Sequence, residues 1–206
     1  MNPFKHVIQS EAELRDILGD AQQLARDKVL AEIDEICLAF IETSPFVLIG
    51  STDANGNMDV SPKGDPAGFV QVIDRQTLLI PDRPGNRRAD TLSNILQNPH
   101  IGLLFLVPGR KESLRINGTA QIVRDDAVRE HFSMQGKVPT FVIAVTVQEA
   151  FFHCTKCIVR SGLWSSESEH DELVSLGEVL VKHAKLDMSV AEADTMLKED
   201  EKTGLY

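Results

Sequence analysis

The sequence predicts a mainly β (α+β) fold, an antiparallel β-barrel of six to seven strands with peripheral helices. Three observations carry that prediction. Apolar or alternating segments of strand length succeed one another from Phe46 to Phe152, rich in Val, Ile, Leu and Phe. Most are separated by short turn signals, as in a meander. One segment of helical period, Ala89 to Gln97, interrupts the series.

The elements follow in order. Ser10 with Glu13 three residues later is a capping-box pattern that opens a short helix, and Gly19 is its stop. From Ala21 to Ile41 apolar residues recur at three and four (Leu24, Val29, Leu30, Ile33, Ile36, Cys37, Phe40), which predicts one amphipathic helix with Asp27, Glu32, Asp34 and Glu35 on its wet side. Ser44-Pro45 ends it. Phe46 to Ser51 is an apolar strand, and the Asn55-Gly56 turn sends the chain back through Met58 to Ser61. Gly68 to Ile73 and Thr77 to Ile80 form a second hairpin around Asp74-Arg75-Gln76. The helix from Ala89 stops at Asn98-Pro99, and strands His100 to Val107 and Ser113 to Val123 come next. Asp125 to Met134 reads as a short helix capped by Asp125 or Asp126, and Thr140 to Phe152 as the last long strand. One or two helical turns follow between His153 and Arg160. Beyond the acidic residues Glu167, Glu169, Asp171 and Glu172, helices are expected at Leu173 to Lys185 and Asp187 to Lys198, with a frayed end from Glu199 to Tyr206. Residues 1–44 form an N-terminal helical segment packing on the barrel, 45–165 the barrel and 166–206 a helical extension, all of one domain.

Composition narrows the function. A formal net charge of -10 over 206 residues argues against a general binder of nucleic acid or anionic membrane, since both need a broad cationic face. No apolar run approaches the roughly 20 residues of a bilayer-spanning helix, and residues 1–14 lack the hydrophobic centre of a signal peptide. Three cysteines, an odd and small number, suit a reducing cytoplasm rather than a disulfide framework.

Against that acidic background the stretch from Met58 to Phe105 stands out. Arg83, Arg87 and Arg88 fall within six residues, at a turn feeding a helix start, with Asn86 as the expected N-cap. Guanidinium forks and free N–H groups at a helix N-terminus together suit a phosphate. Pairing of the same arginines with Asp82, Asp90 and other surface acids is the other reading open at this point. Ser61-Pro62-Lys63-Gly64-Asp65 ends a strand with a lysine among turn formers. Such an end can offer backbone polar groups and a cation to a planar heterocycle, or be an ordinary hairpin exit.

These residues carry a resemblance. Gly85-Asn86-Arg87-Arg88-Ala89 with Leu92 and Asn98-Pro99, then Ser113-Leu114-Arg115-Ile116-Asn117-Gly118-Thr119-Ala120 with its glycine kink, are similar to the pyridoxamine 5′-phosphate oxidase-like flavoproteins, the FMN-binding split-barrel group. His153-Cys154-Thr155-Lys156 with Arg160-Ser161-Gly162-Leu163-Trp164 resembles the closing motif of one uncharacterised FMN-dependent branch. The resemblance runs from about Phe46 to Trp164. It implies a split barrel, a homodimer with FMN in clefts between subunits, and hydride exchange at flavin N5 with a small-molecule substrate or a nicotinamide donor. By position, Arg87 and Arg88 hold the phosphate, Val60, Ser61, Pro62 and Lys63 run along the ring, and Pro81 and Asp82 line the ring or ribityl chain. Arg83 and Asn86 belong to the same loop. Ser113 stands where the family has a glutamine, and Arg115 on the same strand face is its substitute. Lys156, Arg160 and Trp164 come from the partner subunit. The C-terminal substrate signature of true pyridoxamine phosphate oxidases is not found, so that substrate is not expected. A non-catalytic flavin, haem or deazaflavin module is the alternative.

Cys154 and Cys157 have the spacing of a zinc or redox pair, but His170 and His183 follow at no recognisable interval, so buried thiols are expected and no metal. Trp164, the only tryptophan, suits a stacking or interface role. No general acid or base stands out.

Overall fold

The computed structural model describes residues 3–165 and 173–206; the acidic stretch at 167–172 and His170 lie outside them. In chain order the elements are α1 (Glu11–Leu18), α2 (Gln23–Asp27), α3 (Glu35–Thr43), β1 (Phe46–Thr52), β2 (Met58–Gly64), β3 (Gln71–Asp74), β4 (Thr77–Asp82), α4 (Asp90–Gln97), β5 (His100–Leu106), β6 (Ser113–Val123), α5 (Asp126–His131), β7 (Phe141–His153), α6 (Lys156–Ser161), α7 (Leu176–His183) and α8 (Val190–Thr203).

All seven strands join one antiparallel sheet in the order β2-β1-β5-β6-β7-β4-β3. The sheet curls around a core fed by alternate residues of each strand: Val47 and Ile49, Ile101, Leu103 and Phe105, Leu114 and Ile116, Val145 and Val147, Leu78 and Ile80. Two pairings, β1 with β5 and β4 with β7, are non-local and turn a set of hairpins into a curled sheet. Gly118 sits at the register shift of the β6–β7 ladder, where a Cβ would lie 2.1 Å from the carbonyl oxygen of Thr146. The glycine in this strand is therefore a requirement of close backbone approach.

The long helix expected from Ala21 to Ile41 does not form. Its middle is taken by tertiary hydrogen bonds: Leu30 and Ala150 exchange two backbone bonds at 3.0 and 2.8 Å, and the Ile33 N–H donates to the Arg75 carbonyl at 2.7 Å. Satisfying those groups outside a helix leaves only α2 before the break. Asp34, expected on a wet helix face, is instead the N-cap of α3, accepting from the Cys37 N–H at 2.8 Å. That bond holds the Asp34 carboxyl below its ordinary range. Ile33, Cys37 and Ile41 enter the core, whereas α1 and α2 bury no residue.

Three further expectations are revised. Cys154 and Cys157 are exposed rather than buried, and Cys37 is the buried thiol. The C-terminal helices shift, α8 running on to Thr203 behind a complete Ser189–Glu192 capping box. The end at Tyr206 is docked on Asp65, Arg83 and Lys137. Among the described residues no helix is long and apolar enough to cross a membrane, and no group of His, Cys, Asp and Glu is arranged to hold a metal ion.

Two outcomes follow. Burial first, then the hydrogen bond with Asp34, pushes the Cys37 thiol up to about 12, so an alkylating reagent at pH 8 should leave Cys37 unmodified until denaturant is added. Peptide mass spectrometry checks this, and labelling of Cys37 in the native protein contradicts it. Gly118→Ala forces a Cβ into the β6–β7 ladder and should cost about 3 kcal/mol of unfolding free energy, read from urea titrations.

Candidate functional site

The sheet closes on itself without a ladder. β2 is an edge strand, and β4 becomes one beyond Leu79, where its pairing with β3 ends. Pro62 and Pro81 lie in those two stretches. A residue without an N–H is tolerated in a sheet at such edges and discourages further pairing there. The gap is bridged by side chains instead. Lys63 Nζ stands 3.2 Å from Asp82 Oδ1, and Arg83 Nε donates to Asp65 Oδ2 at 2.6 Å. The Asp65 side chain is 2% exposed, so its charge is held almost wholly by protein.

A cleft of about 750 Å³ opens along this seam. Its walls are the end of β2 (Asp59 to Lys63), the loop from Asp82 to Ala89, the first turn of α4 and the start of β7 at Phe141. α4 is fixed above the seam by two polar anchors: Thr91 Oγ1 donates to Asp59 at 3.0 Å, and Asn94 Nδ2 donates to Ser51 Oγ at 3.0 Å. Ile95 is buried beneath it.

The loop into α4 carries the chemistry. Asn86 is not the N-cap. Its side chain accepts from the Arg88 N–H at 3.0 Å, an Asx turn, and the N-cap position falls to Ala89. Ala89 has no side-chain acceptor, so no side chain caps the N–H groups of the first turn. Arg87 (φ 62°) and Ala89 (φ 57°) are both left-handed, a conformation that costs non-glycine residues free energy and is concentrated at functional sites. Arg88 pairs with Asp90 at 2.7 Å while its side chain stays largely exposed, so solvent screens the pair. Among the described residues no ion pair engages Arg87. The arrangement is an uncapped helix N-terminus beside one guanidinium with no ion pair among the described residues and a second in an exposed, screened pair, a setting that suits an anion.

Of the residues singled out from the sequence, Val60, Ser61, Pro62, Lys63, Asp82, Arg83, Asn86, Arg87 and Arg88 line this cleft together. Pro81 does not; it is buried in the β4–β7 ladder opposite Val142. Ser113 and Arg115 line a separate hollow of about 430 Å³ on the outer face of β1, β5 and β6, which Val60 also borders. There Arg115 lies over the Phe151 ring at 5.0 Å. Lys156, Arg160 and Trp164 line neither space within one chain, and Trp164 Nε1 donates to the Arg110 carbonyl at 2.6 Å. Arg83 is committed to the seam: besides Asp65 it donates to the Phe132 carbonyl at 2.8 Å and stacks over the Tyr206 ring at 5.3 Å. Sequence reasoning missed Asp59, Thr91, Thr140 and Phe141. The strand alternation around Asp59 was visible, but the cleft's far wall depends on the non-local β4–β7 pairing.

The pyridoxamine 5′-phosphate oxidase family model matches residues 33–154. No curated protein matches the chain. Among solved structures, the chain is similar to HupZ of Group A Streptococcus, at 21% identity over 58% of this chain and 93% of that one, with a TM-score of 0.48. A Clostridium acetobutylicum protein related to general stress protein 26, of the pyridoxinephosphate oxidase family, is 20% identical over 59% of this chain and 91% of that one, with a TM-score of 0.42. An FMN-binding protein from Syntrophomonas wolfei subsp. wolfei is 11% identical over 56% and 80%, with a TM-score of 0.42. The family model spans more than half of the chain, including β1 to β7, the seam and the arginine loop, and the chain belongs to the pyridoxamine 5′-phosphate oxidase family.

Proposed function

We propose that the chain is an FMN-dependent oxidoreductase acting on a small molecule other than pyridoxamine phosphate. The observation that carries this is the uncapped start of α4 beneath Arg87 and Arg88, in a cleft large enough for a ring system. Helix N–H groups and paired guanidinium groups fit a phosphomonoester. The lining of Val60 to Lys63 suits the edge of a planar heterocycle.

Bound FMN supplies hydride transfer at its N5. The chain's own residues bind and orient. Arg87 turns into the cleft as a free cation, and Arg88 exchanges its weak pairing with Asp90 for the phosphate. Lys63, paired with Asp82 in the cleft wall, offers a further N–H donor to the polar edge of the ring. In this reading the site lies between two copies of this chain, with Lys156, Arg160 and Trp164 reaching the cleft of the other copy. The outward hollow bordered by Leu48, Gly50, Leu104 and Arg115 supports such a pairing, since it is an apolar surface that a second copy would cover. The small, odd number of cysteines favours a cytoplasmic setting.

A second reading, a non-catalytic binding module, is favoured by one observation. The three carboxylates lining the cleft are all engaged: Asp59 by Thr91, Asp82 by Lys63 and Asp90 by Arg88. None stands ready as an acid or base. Bleaching of the flavin band on adding reduced nicotinamide, with turnover, separates the enzyme from the module.

The site assignment is tested by fluorescence titration of FMN and riboflavin. Arg87→Ala with Arg88→Ala should weaken FMN by about 4 kcal/mol, roughly a thousandfold in Kd, and leave riboflavin nearly unchanged. An unaltered FMN Kd removes the assignment.

A further inference from the structure

Tyr206 joins three segments that border the cleft. Its hydroxyl donates to Asp65 Oδ1 at 2.6 Å, at the end of β2. Its ring lies under the Arg83 guanidinium at 5.3 Å, on the loop that continues to Arg87 and Arg88. Its backbone carbonyl accepts from Lys137 Nζ, on the connection between α5 and β7. Asp65 in turn uses its other oxygen for Arg83 Nε at 2.6 Å. One carboxylate thus accepts from both the tyrosine and the arginine, and the ring stacks on the same arginine. Donation to Asp65, followed by burial, raises the Tyr206 phenol above its ordinary range, so at neutral pH it remains a donor. Among the described residues, both hydrogen bonds that tie residues 173–206 to the barrel end on Tyr206.

We infer that the segment after α8 is a strap whose Tyr206 positions the arginine loop through Asp65 and Arg83. Arg83 lines the cleft on one side and carries Tyr206 on the other. Its three contacts (Asp65, the Phe132 carbonyl and the ring) hold the point where the loop leaves β4. Only five residues separate Arg83 from Ala89, so fixing that point restricts the left-handed backbone at Arg87 and Ala89. Arg83 is accordingly a positioning residue, and the ligand-facing cations are Arg87 and Arg88. Preordering the loop before a phosphate arrives lowers the ordering cost of binding. The C-terminal hairpin of α7 and α8 thereby gains a role at the cleft without contributing a ligand-binding group.

The strap rests on the cofactor reading only in its consequence for binding, so its primary test needs no ligand. Hydrogen–deuterium exchange is followed on the ligand-free full chain for the peptide spanning residues 83–89. Tyr206→Phe, which keeps the ring and removes the donor, should speed exchange there about fivefold. Tyr206→Ala should speed it about tenfold or more, while peptides of β5 to β7 keep wild-type protection. If Tyr206→Ala loses protection throughout, the Tyr206→Phe comparison decides. Unchanged exchange of residues 83–89 in Tyr206→Phe, with or without a folded Tyr206→Ala, overturns the strap. In the binding arm, Tyr206→Phe should weaken FMN about threefold to fivefold and leave riboflavin unaffected; an equal loss for both ligands makes Tyr206 a general stability residue and also overturns it. Failure of the wild-type chain to bind FMN removes the cofactor reading, and the exchange result then judges the strap alone.

Discussion

The structure depends on how its sheet is closed. Seven antiparallel strands curl until β2 faces the end of β4, yet Pro62 and Pro81 stand in the facing stretches and no ladder joins them. Lys63–Asp82 and Asp65–Arg83 bridge the seam instead. A ladder would have filled the gap with backbone. Side-chain bridges leave an opening with polar walls, and the cleft occupies it. The Asp65–Arg83 pair is mostly buried, so removing one partner would strand the other charge at a cost of about 3–5 kcal/mol. Such a pair specifies how the two edges meet more than it adds net stability.

Charge in this seam is divided by task. Lys63 and Arg83 are held by carboxylates and shape the walls. Arg87 has no ion-pair partner among the described residues, and Arg88 has only an exposed, weakly coupled one. An acidic chain thus leaves one guanidinium without an ion pair among the described residues, and a second only weakly paired, beside an uncapped helix start. The left-handed backbone at Arg87 and Ala89 is tolerated because both ends of the loop are pinned, by Arg83 on one side and by the Thr91 and Asn94 anchors of α4 on the other.

The strands were legible because their signals are local. The apolar runs of Phe46 to Ser51 and His100 to Leu106, and the Asn55-Gly56 turn, depend on neighbours in sequence. The arginine loop was legible as an anomaly of charge. What failed depended on distant partners. The apolar period from Ala21 to Ile41 was real, but Ala150 and Arg75 claimed the backbone of Leu30 and Ile33 and broke the helix. Asn86 had the right chemistry for a cap and spent it one turn early on Arg88. Tyr206 looked like part of a frayed end because nothing near it in sequence shows that Asp65 and Arg83 wait across the fold.

We propose that this seam holds a phosphorylated flavin. The absorption spectrum of the protein as purified, repeated after incubation with FMN and removal of the excess by gel filtration, tests it most directly. Flavin bands that stay with the protein, at up to one FMN per chain, are the predicted result. A Soret band, or a colourless protein that emerges from the column without FMN, contradicts the account.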